Sequence, residues 1–202
     1  MVKTKIAVMV SGGGTNLQAL LDAQSSGILT TGEIVLVISS NAKAYAITRA
    51  EKAGVPAVVF SRKELGNQAA FEKAISLVLA EYGVELIVLA GFMSILSESF
   101  TKQWPRRILN VHPSLIPSFC GQGFYGLKVH EAALAYGVKV TGATVHFVNE
   151  IPDGGEILLQ RAVEIQPGDT PEVLQRRVME QAEWKILPQA AQMISEEIGK
   201  GK

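Results

Sequence analysis

Cysteine is nearly absent from this chain: Cys120 stands alone among 202 residues, which excludes an internal disulfide framework and fits a reducing compartment. An excess of charge of one sign is absent too. The 19 basic and 19 acidic side chains cancel, so nothing draws a polyanion in bulk, and neither nucleic acid nor a membrane is an expected partner. Long hydrophobic runs are missing as well. After Met1-Val2-Lys3-Thr4-Lys5 comes an apolar stretch of about six residues ending in glycines, too short for a signal-peptide core or a membrane span. We expect a cytoplasmic protein. No repeat and no low-complexity linker interrupts the sequence, and Trp104 and Trp184 occur singly, as packing anchors do. With 48% of its residues hydrophobic, the chain can bury a full core.

Short apolar runs at 6–10, 34–38, 57–60, 86–90 and 108–111 lack strict polar alternation, as strands covered on both faces do. Between them, 16–24, 44–53 and 69–82 carry apolar residues at helical spacing. This succession predicts an α/β fold: an open, twisted, mostly parallel, Rossmann-like sheet with helices on both faces. Beyond residue 140 the pattern changes. Residues 141–148 and 156–160 read as a C-terminal β-hairpin about a short turn at Asp153-Gly154-Gly155, and 170–198 as a long helix packed back on the sheet.

Asn110-Val111-His112 closes the fifth run and is followed at once by Pro113-Ser114. Alternate strand residues share a face, so Asn110 and His112 point the same way. A neutral imidazole can move a proton at working pH, and a carboxamide N–H beside it can donate to an oxygen gaining negative charge. The same tripeptide also suits a strand-end pair bonded to backbone groups.

Ser11-Gly12-Gly13-Gly14-Thr15-Asn16-Leu17 follows the first strand and opens the first helix. Glycines admit a ligand to the backbone, and free N–H groups at a helix start, with the Thr15 hydroxyl and Asn16 amide, suit phosphate. The loop lacks the Gly-Lys-Ser/Thr of a Walker A motif and has Leu17 where a dinucleotide fingerprint needs its third glycine, which disfavours a nucleotide cofactor. Ala90-Gly91-Phe92-Met93-Ser94-Ile95-Leu96 reads either as a slot for a flat heterocycle or as ordinary core at a strand-to-helix junction. Asp153 in Ile151-Pro152-Asp153-Gly154-Gly155 is a turn carboxylate. Near His112 it would raise the pKa of the imidazole; otherwise it bonds to its own loop. His130 reads as structural or surface, and His146, within a strand, as a satisfied core histidine or as a hydrogen-bonding residue of the site region. Neither is spaced with Cys120 as zinc ligands are, and no metal is expected.

Together these segments resemble, over essentially the whole chain, the glycinamide ribonucleotide transformylases, the phosphoribosylglycinamide formyltransferases of the formyl-folate transferase superfamily. The resemblance rests on the loop from Ser11 to Asn16, Leu89-Ala90-Gly91-Phe92-Met93, Asn110-Val111-His112-Pro113-Ser114-Leu115, residues 142–148, Asp153-Gly154-Gly155 and Glu183. It implies transfer of a formyl group from the co-substrate 10-formyltetrahydrofolate to the amine of glycinamide ribonucleotide in purine biosynthesis. It also implies His112 as proton shuttle, Asn110 as oxyanion donor and folate contact, and Asp153 as support for the histidine and an ordered water. Gly13, Gly14, Thr15 and Asn16 match the substrate-phosphate loop, Glu183 the ribose contact, and Gln68, Met93, Ser94, Ile95 and Leu96 the folate contacts. The family reading implies one formyltransferase domain over 1–202, with a phosphate-binding half at about 1–100 and a folate and catalytic half at about 101–202. Its partners are small-molecule substrates, and the expected state is a monomer or homodimer.

The chain departs from the family in places. Ser94 and Gln68 stand where some members carry basic folate contacts, which makes Arg62 or Lys63 the candidate replacement. Pro152 precedes the aspartate where an aliphatic residue is usual, and the glycine-rich residues 119–126 suggest a mobile flap. Methionyl-tRNA formyltransferase and formyltetrahydrofolate hydrolase share the chemistry but add a tRNA domain and a regulatory domain, so chain length and the phosphate loop favour the ribonucleotide acceptor. A non-catalytic folate- or nucleotide-binding module is the reading from another class.

Overall fold

The apolar runs form β1 (Thr4–Val10), β2 (Gly32–Ser39), β3 (Ala57–Val59), β4 (Leu86–Leu89) and β5 (Ile108–His112) in a computed structural model that describes residues 2–201. Helices α1 (Thr15–Ser25), α2 (Tyr45–Lys52), α3 (Arg62–Leu65), α4 (Gln68–Glu81) and α5 (Glu98–Thr101) connect them. After α6 (Leu127–Tyr136) come β6 (Val140–Phe147), β7 (Ile157–Glu164), α7 (Pro171–Val178), a π-helical turn (Met179–Glu183) and α8 (Trp184–Lys200). Helices α3 and α5 are four residues each, too short to leave a hydrophobic period in the sequence.

All seven strands join one sheet in the order β3-β2-β1-β4-β5-β6-β7. The first five pair in parallel, while β6 runs antiparallel to both β5 and β7. The expected α/β fold is therefore observed, with the antiparallel hairpin added at one edge. Alternation along β1 divides the core between the sheet's faces. Ile6, Val8 and Val10 pack with Leu17 and Leu20 of α1 and Leu187 and Ala191 of α8. Ala7 and Met9 pack with Phe71, Ile75 and Leu79 of α4. Each fully buried Leu or Ile contributes about 1.5–3 kcal/mol, so α1, α4 and α8 are fixed, and with them the loops at their ends.

Two expectations need correction. The hairpin does not close in a short turn: residues 148–156 separate β6 from β7, and Asp153 lies within this excursion in the left-handed region at φ 55°. The 170–198 stretch is not one regular helix either. Pro188 sits inside α8, where it can neither donate to the carbonyl four residues back nor avoid crowding it, and the widened turn Met179–Glu183 lies directly upstream.

Strand order reverses between β1 and β4, so their carboxyl ends open a crevice at a topological switch point. The loop from Ser11, the segment after Leu89 and the end of β5 all emerge there.

Candidate active site

Strand pairing builds the cluster around Asn110, His112 and Asp153. Antiparallel register sets Asn110 of β5 opposite His146 of β6, and Asn110 Nδ2 lies 3.1 Å from His146 Nε2. The β6–β7 excursion brings Asp153 over the same strand ends. Its Oδ2 is 3.4 Å from His112 Nδ1, and its Oδ1 is 3.5 Å from both His146 Nε2 and Asn110 Nδ2. Asn110 and His112 therefore address one carboxylate from one strand. Gly155 makes this possible, because a Cβ there would stand 1.7 Å from the Phe147 carbonyl oxygen.

Hydrogen-bond partners assign the imidazole protons. His146 Nδ1 is 2.8 Å from the Phe147 carbonyl oxygen and must donate to it, which leaves Nε2 of the neutral ring to accept from Asn110. His112 Nε2 is 2.8 Å from the Phe119 carbonyl oxygen and likewise donates, so the lone pair of its neutral ring is on Nδ1, facing Asp153. A proton taken up there meets a carboxylate at once. Of the two readings of His146, the geometry matches the hydrogen-bonding residue of the site region; the register of β5 against β6 places it there.

Burial lowers the His112 pKa, and the nearby Asp153 charge and the Phe119 carbonyl offset that effect only in part. The net shift is downward, opposite to the expectation from a carboxylate neighbour alone, because His112 is only 4% exposed and desolvation disfavours its charged form. Burial pushes the Asp153 carboxyl up, but the two histidine rings, through their protonated forms, and the Gly121 N–H outweigh it and hold the group below its ordinary value.

The 119–126 segment lies against this cluster. Phe119 is left-handed at φ 50° and gives its carbonyl to His112, while Gly121 N–H donates to Asp153 Oδ2 at 2.8 Å. The chain leaving His112 is pinned to β6 through Thr144 Oγ1, which donates to the Ser114 carbonyl at 2.7 Å and accepts from Ile116 N–H at 3.1 Å. Cys120 sits in the segment with its thiol pushed up by burial and by Asp153, the opposite of what an activated nucleophile needs.

The glycine loop has a different construction. Gly14 is left-handed at φ 71°, and a Cβ there would approach Ala46 Cβ to 2.6 Å. Around Gly12 and Gly13 the space is open. Ala46 N–H donates to the Gly12 carbonyl and Arg49 Nε to the Gly13 carbonyl, turning the loop's N–H groups the other way. No side chain caps α1, so its first N–H groups are available to an anion. Asn16 Nδ2 donates to Glu183 Oε2 at 2.6 Å, while Asn16 Oδ1 is buried without a protein partner. Burial raises the Glu183 pKa to about 7 against a weaker lowering by Asn16. The π-helical turn thus brings Glu183 to the loop despite its distance in sequence.

The Met93–Leu96 segment borders the loop. Met93 N–H donates to Ser11 Oγ at 2.9 Å, and Ser11 Oγ is 2.6 Å from Ser40 Oγ. Met93 and Ile95 are exposed while Leu96 is buried. Gln68 donates to the Ile95 carbonyl at 3.0 Å and to Glu72 at 2.6 Å, and Arg62 Nη1 reaches Gln68 Oε1 at 3.4 Å.

His130 is fully buried, has no protein partner on either ring nitrogen, and is driven by burial to a pKa of about 4; it is not a surface residue. A cavity of about 670 Å³ opens between α1 and α8, touching the glycine loop only at Thr15. Among the described residues, no helix is long and apolar enough to cross a membrane and no cluster of three or more His, Cys, Asp or Glu could hold a metal.

The pattern of the formyl transferase family matches residues 4–191, and the chain belongs to that family. Within it, the chain is 45% identical to the phosphoribosylglycinamide formyltransferase of Haemophilus influenzae, over 91% of this chain and 84% of that protein. It is 47% identical to the trifunctional purine biosynthetic protein adenosine-3 of Gallus gallus, over 96% of this chain but only 18% of that protein. The chain thus spans less than a fifth of the trifunctional relatives it matches. The crystal structure of glycinamide ribonucleotide transformylase 1 from Symbiobacterium toebii superposes with a TM-score of 0.90 at 42% identity, covering 96% of this chain and 89% of that one. The resemblance read from the motifs is borne out.

Proposed function

We propose that this protein transfers the formyl group of 10-formyltetrahydrofolate to the amine of glycinamide ribonucleotide in purine biosynthesis, within the cytoplasm. The observation that carries the proposal is the placement of an uncapped, glycine-shaped helix start and the Asn110, His112 and Asp153 cluster at the carboxyl ends of β1 and β5, on either side of β4. The phosphate contacts come from Gly13, Gly14, Thr15 and Asn16. The unpaired Asn16 Oδ1 and the adjoining Glu183 suit ribose hydroxyls. Met93 to Leu96 receive the pterin, and Arg62, exposed beside Gln68, supplies the positive charge that Ser94 and Gln68 lack.

The amine nitrogen attacks the formyl carbon, and the carbonyl oxygen becomes an oxyanion to which Asn110 Nδ2 donates. His112 accepts the proton released by the attacking nitrogen, Asp153 stabilises the imidazolium, and the proton is returned to the folate nitrogen as the carbon–nitrogen bond breaks. The Phe119 carbonyl on His112 Nε2 gives way as substrate enters, which makes residues 119–126 a flap; released from that carbonyl, the neutral ring carries its proton on Nδ1 toward Asp153 and presents the Nε2 lone pair to the amine. The two halves of the domain, about 1–100 and about 101–202, contribute the phosphate loop and the catalytic residues respectively.

The test offers glycinamide ribonucleotide, water and charged initiator tRNA as alternative formyl acceptors with 10-formyltetrahydrofolate. Transfer to glycinamide ribonucleotide alone is expected. Transfer to water or tRNA without transfer to glycinamide ribonucleotide would reject this acceptor.

A further inference from the structure

Residues 92–97 have no regular secondary structure, so their backbone groups have no helix or ladder in which to pair. Side chains from elsewhere supply the partners. Ser11 Oγ holds Met93 N–H, Gln68 Nε2 holds the Ile95 carbonyl, and Glu72 Oε1 accepts from Ser97 N–H at 2.6 Å. Glu72 governs the last two of these tethers. Its Oε1 also accepts from Gln68 Nε2 at 2.6 Å, and its Oε2 from the Ser97 hydroxyl at 2.5 Å.

Glu72 is only 7% exposed and stands on α4, whose Phe71, Ile75 and Leu79 are buried against the sheet. Its backbone is therefore fixed. A site that needed only to be filled would be served by an apolar side chain, without the cost of burying a carboxylate. A carboxylate meeting donors from Gln68 and Ser97 does something different: it sets directions.

We propose that Glu72 is a positioning residue for the folate co-substrate, acting without touching it by fixing where Met93 to Leu96 lie. The inference rests on the reading of that segment as the folate slot. It also redefines Gln68. Its amide group points inward to Glu72 and Ile95, so Gln68 works through the segment's backbone, and only its Oε1 faces Arg62.

The test is Glu72→Met, which nearly keeps the volume but leaves the Gln68 amide and the Ser97 N–H without their acceptor, with binding of tetrahydrofolate measured by titration calorimetry. We expect Kd for tetrahydrofolate and KM for 10-formyltetrahydrofolate to rise about five- to tenfold, the worth of one or two ordinary hydrogen bonds, with KM for glycinamide ribonucleotide held within about twofold. The pH profile set by His112 stays in place. A purely structural role would lower Tm and weaken both substrates alike, which would overturn the proposal, as would unchanged folate affinity in the folded variant. Should E72M not fold, Gln68→Ala removes the Ile95 tether from a half-buried helix start, and unchanged tetrahydrofolate affinity there also overturns it. Wild type that binds tetrahydrofolate tightly but does not formylate glycinamide ribonucleotide would defeat the acceptor assignment while leaving Glu72 to be judged by its own variant.

Discussion

The Asn110–His112 cluster and the glycine-loop end of the crevice each contain a carboxyl group withdrawn from solvent, and the two behave in opposite ways. Asp153 faces two imidazole rings and the Gly121 N–H, and is held below its ordinary pKa despite burial. Glu183 has one amide donor from Asn16 and is raised to about 7. The partners present, not burial alone, decide which carboxyl keeps its charge. The difference suits the proposed chemistry: a fixed negative charge stabilises an imidazolium at His112, whereas beside a phosphate loop a carboxyl that protonates readily repels the incoming anion less.

The largest change follows from erasing the charge at Asp153. Asp153→Asn keeps the shape but removes the group that favours the charged form of His112, and kcat is expected to fall about 10²-fold or more. The pH profile fixes the cause. Burial already holds the His112 pKa down while Asp153 pulls it up, so in Asp153→Asn it drops further and the acidic limb of kcat/KM moves to lower pH. An acidic limb that stays put, or moves up, would refute the coupling.

Glu183→Gln tests the other carboxyl through stability. The folded pKa of about 7 exceeds the ordinary 4.5, so the folded protein binds the extra proton. The associated stability is complete below 4.5 and is lost as pH rises toward 7. The loss amounts to about 3 kcal/mol by pH 8. The substituted carboxamide cannot ionise yet still accepts from Asn16, so denaturant unfolding at pH 5 and pH 8 should show the wild type losing stability relative to the variant. An equal difference at both values would contradict the buried, proton-holding state.

The two regions also differ in how far they were legible. The glycine loop is a local object, shaped by φ at Gly14 and its contact with Ala46, so consecutive residues announced it. The parallel strands were equally legible, because burial on both faces leaves unbroken apolar runs. The cluster around His112 is non-local. Asn110 and His112 could be paired from strand alternation, but the place of His146 depends on the β5–β6 register, and that of Asp153 on a long excursion that resembled a tight turn. Glu72 was invisible for a like reason. Its function lies in tethers to Gln68 and Ser97 that span a loop, and a carboxylate at helical spacing looks like solvated surface. The downward shift of His112 required knowing its burial.

Gly14→Ala addresses the local construction. The added methyl meets Ala46 at 2.6 Å in a left-handed backbone that costs an L residue about 1–2 kcal/mol. The loop must shift, and KM for glycinamide ribonucleotide should rise about tenfold, corresponding to about 1.4 kcal/mol. Binding of tetrahydrofolate, measured in parallel, should change much less; equal losses for both ligands would mean that the loop and the folate segment move as one body.

That last possibility turns on Ser11, whose hydroxyl holds Met93 N–H at the border of the two substrate segments. Ser11→Ala leaves the glycine geometry and the Gly12 and Gly13 carbonyl contacts in place and removes one tether. If Ser11 couples the segments, glycinamide ribonucleotide and tetrahydrofolate should each tighten binding of the other by the same factor in the wild type, since coupling is reciprocal. Loss of a single hydrogen bond of about 1 kcal/mol reduces that factor by about fivefold at most. Calorimetric titration of each ligand with and without the other reads the factor directly. A variant that weakens both ligands singly but preserves their mutual effect would mean that Ser11 supports each segment separately, leaving the glycine loop and the Met93–Leu96 segment as neighbours with no energetic link through this hydroxyl.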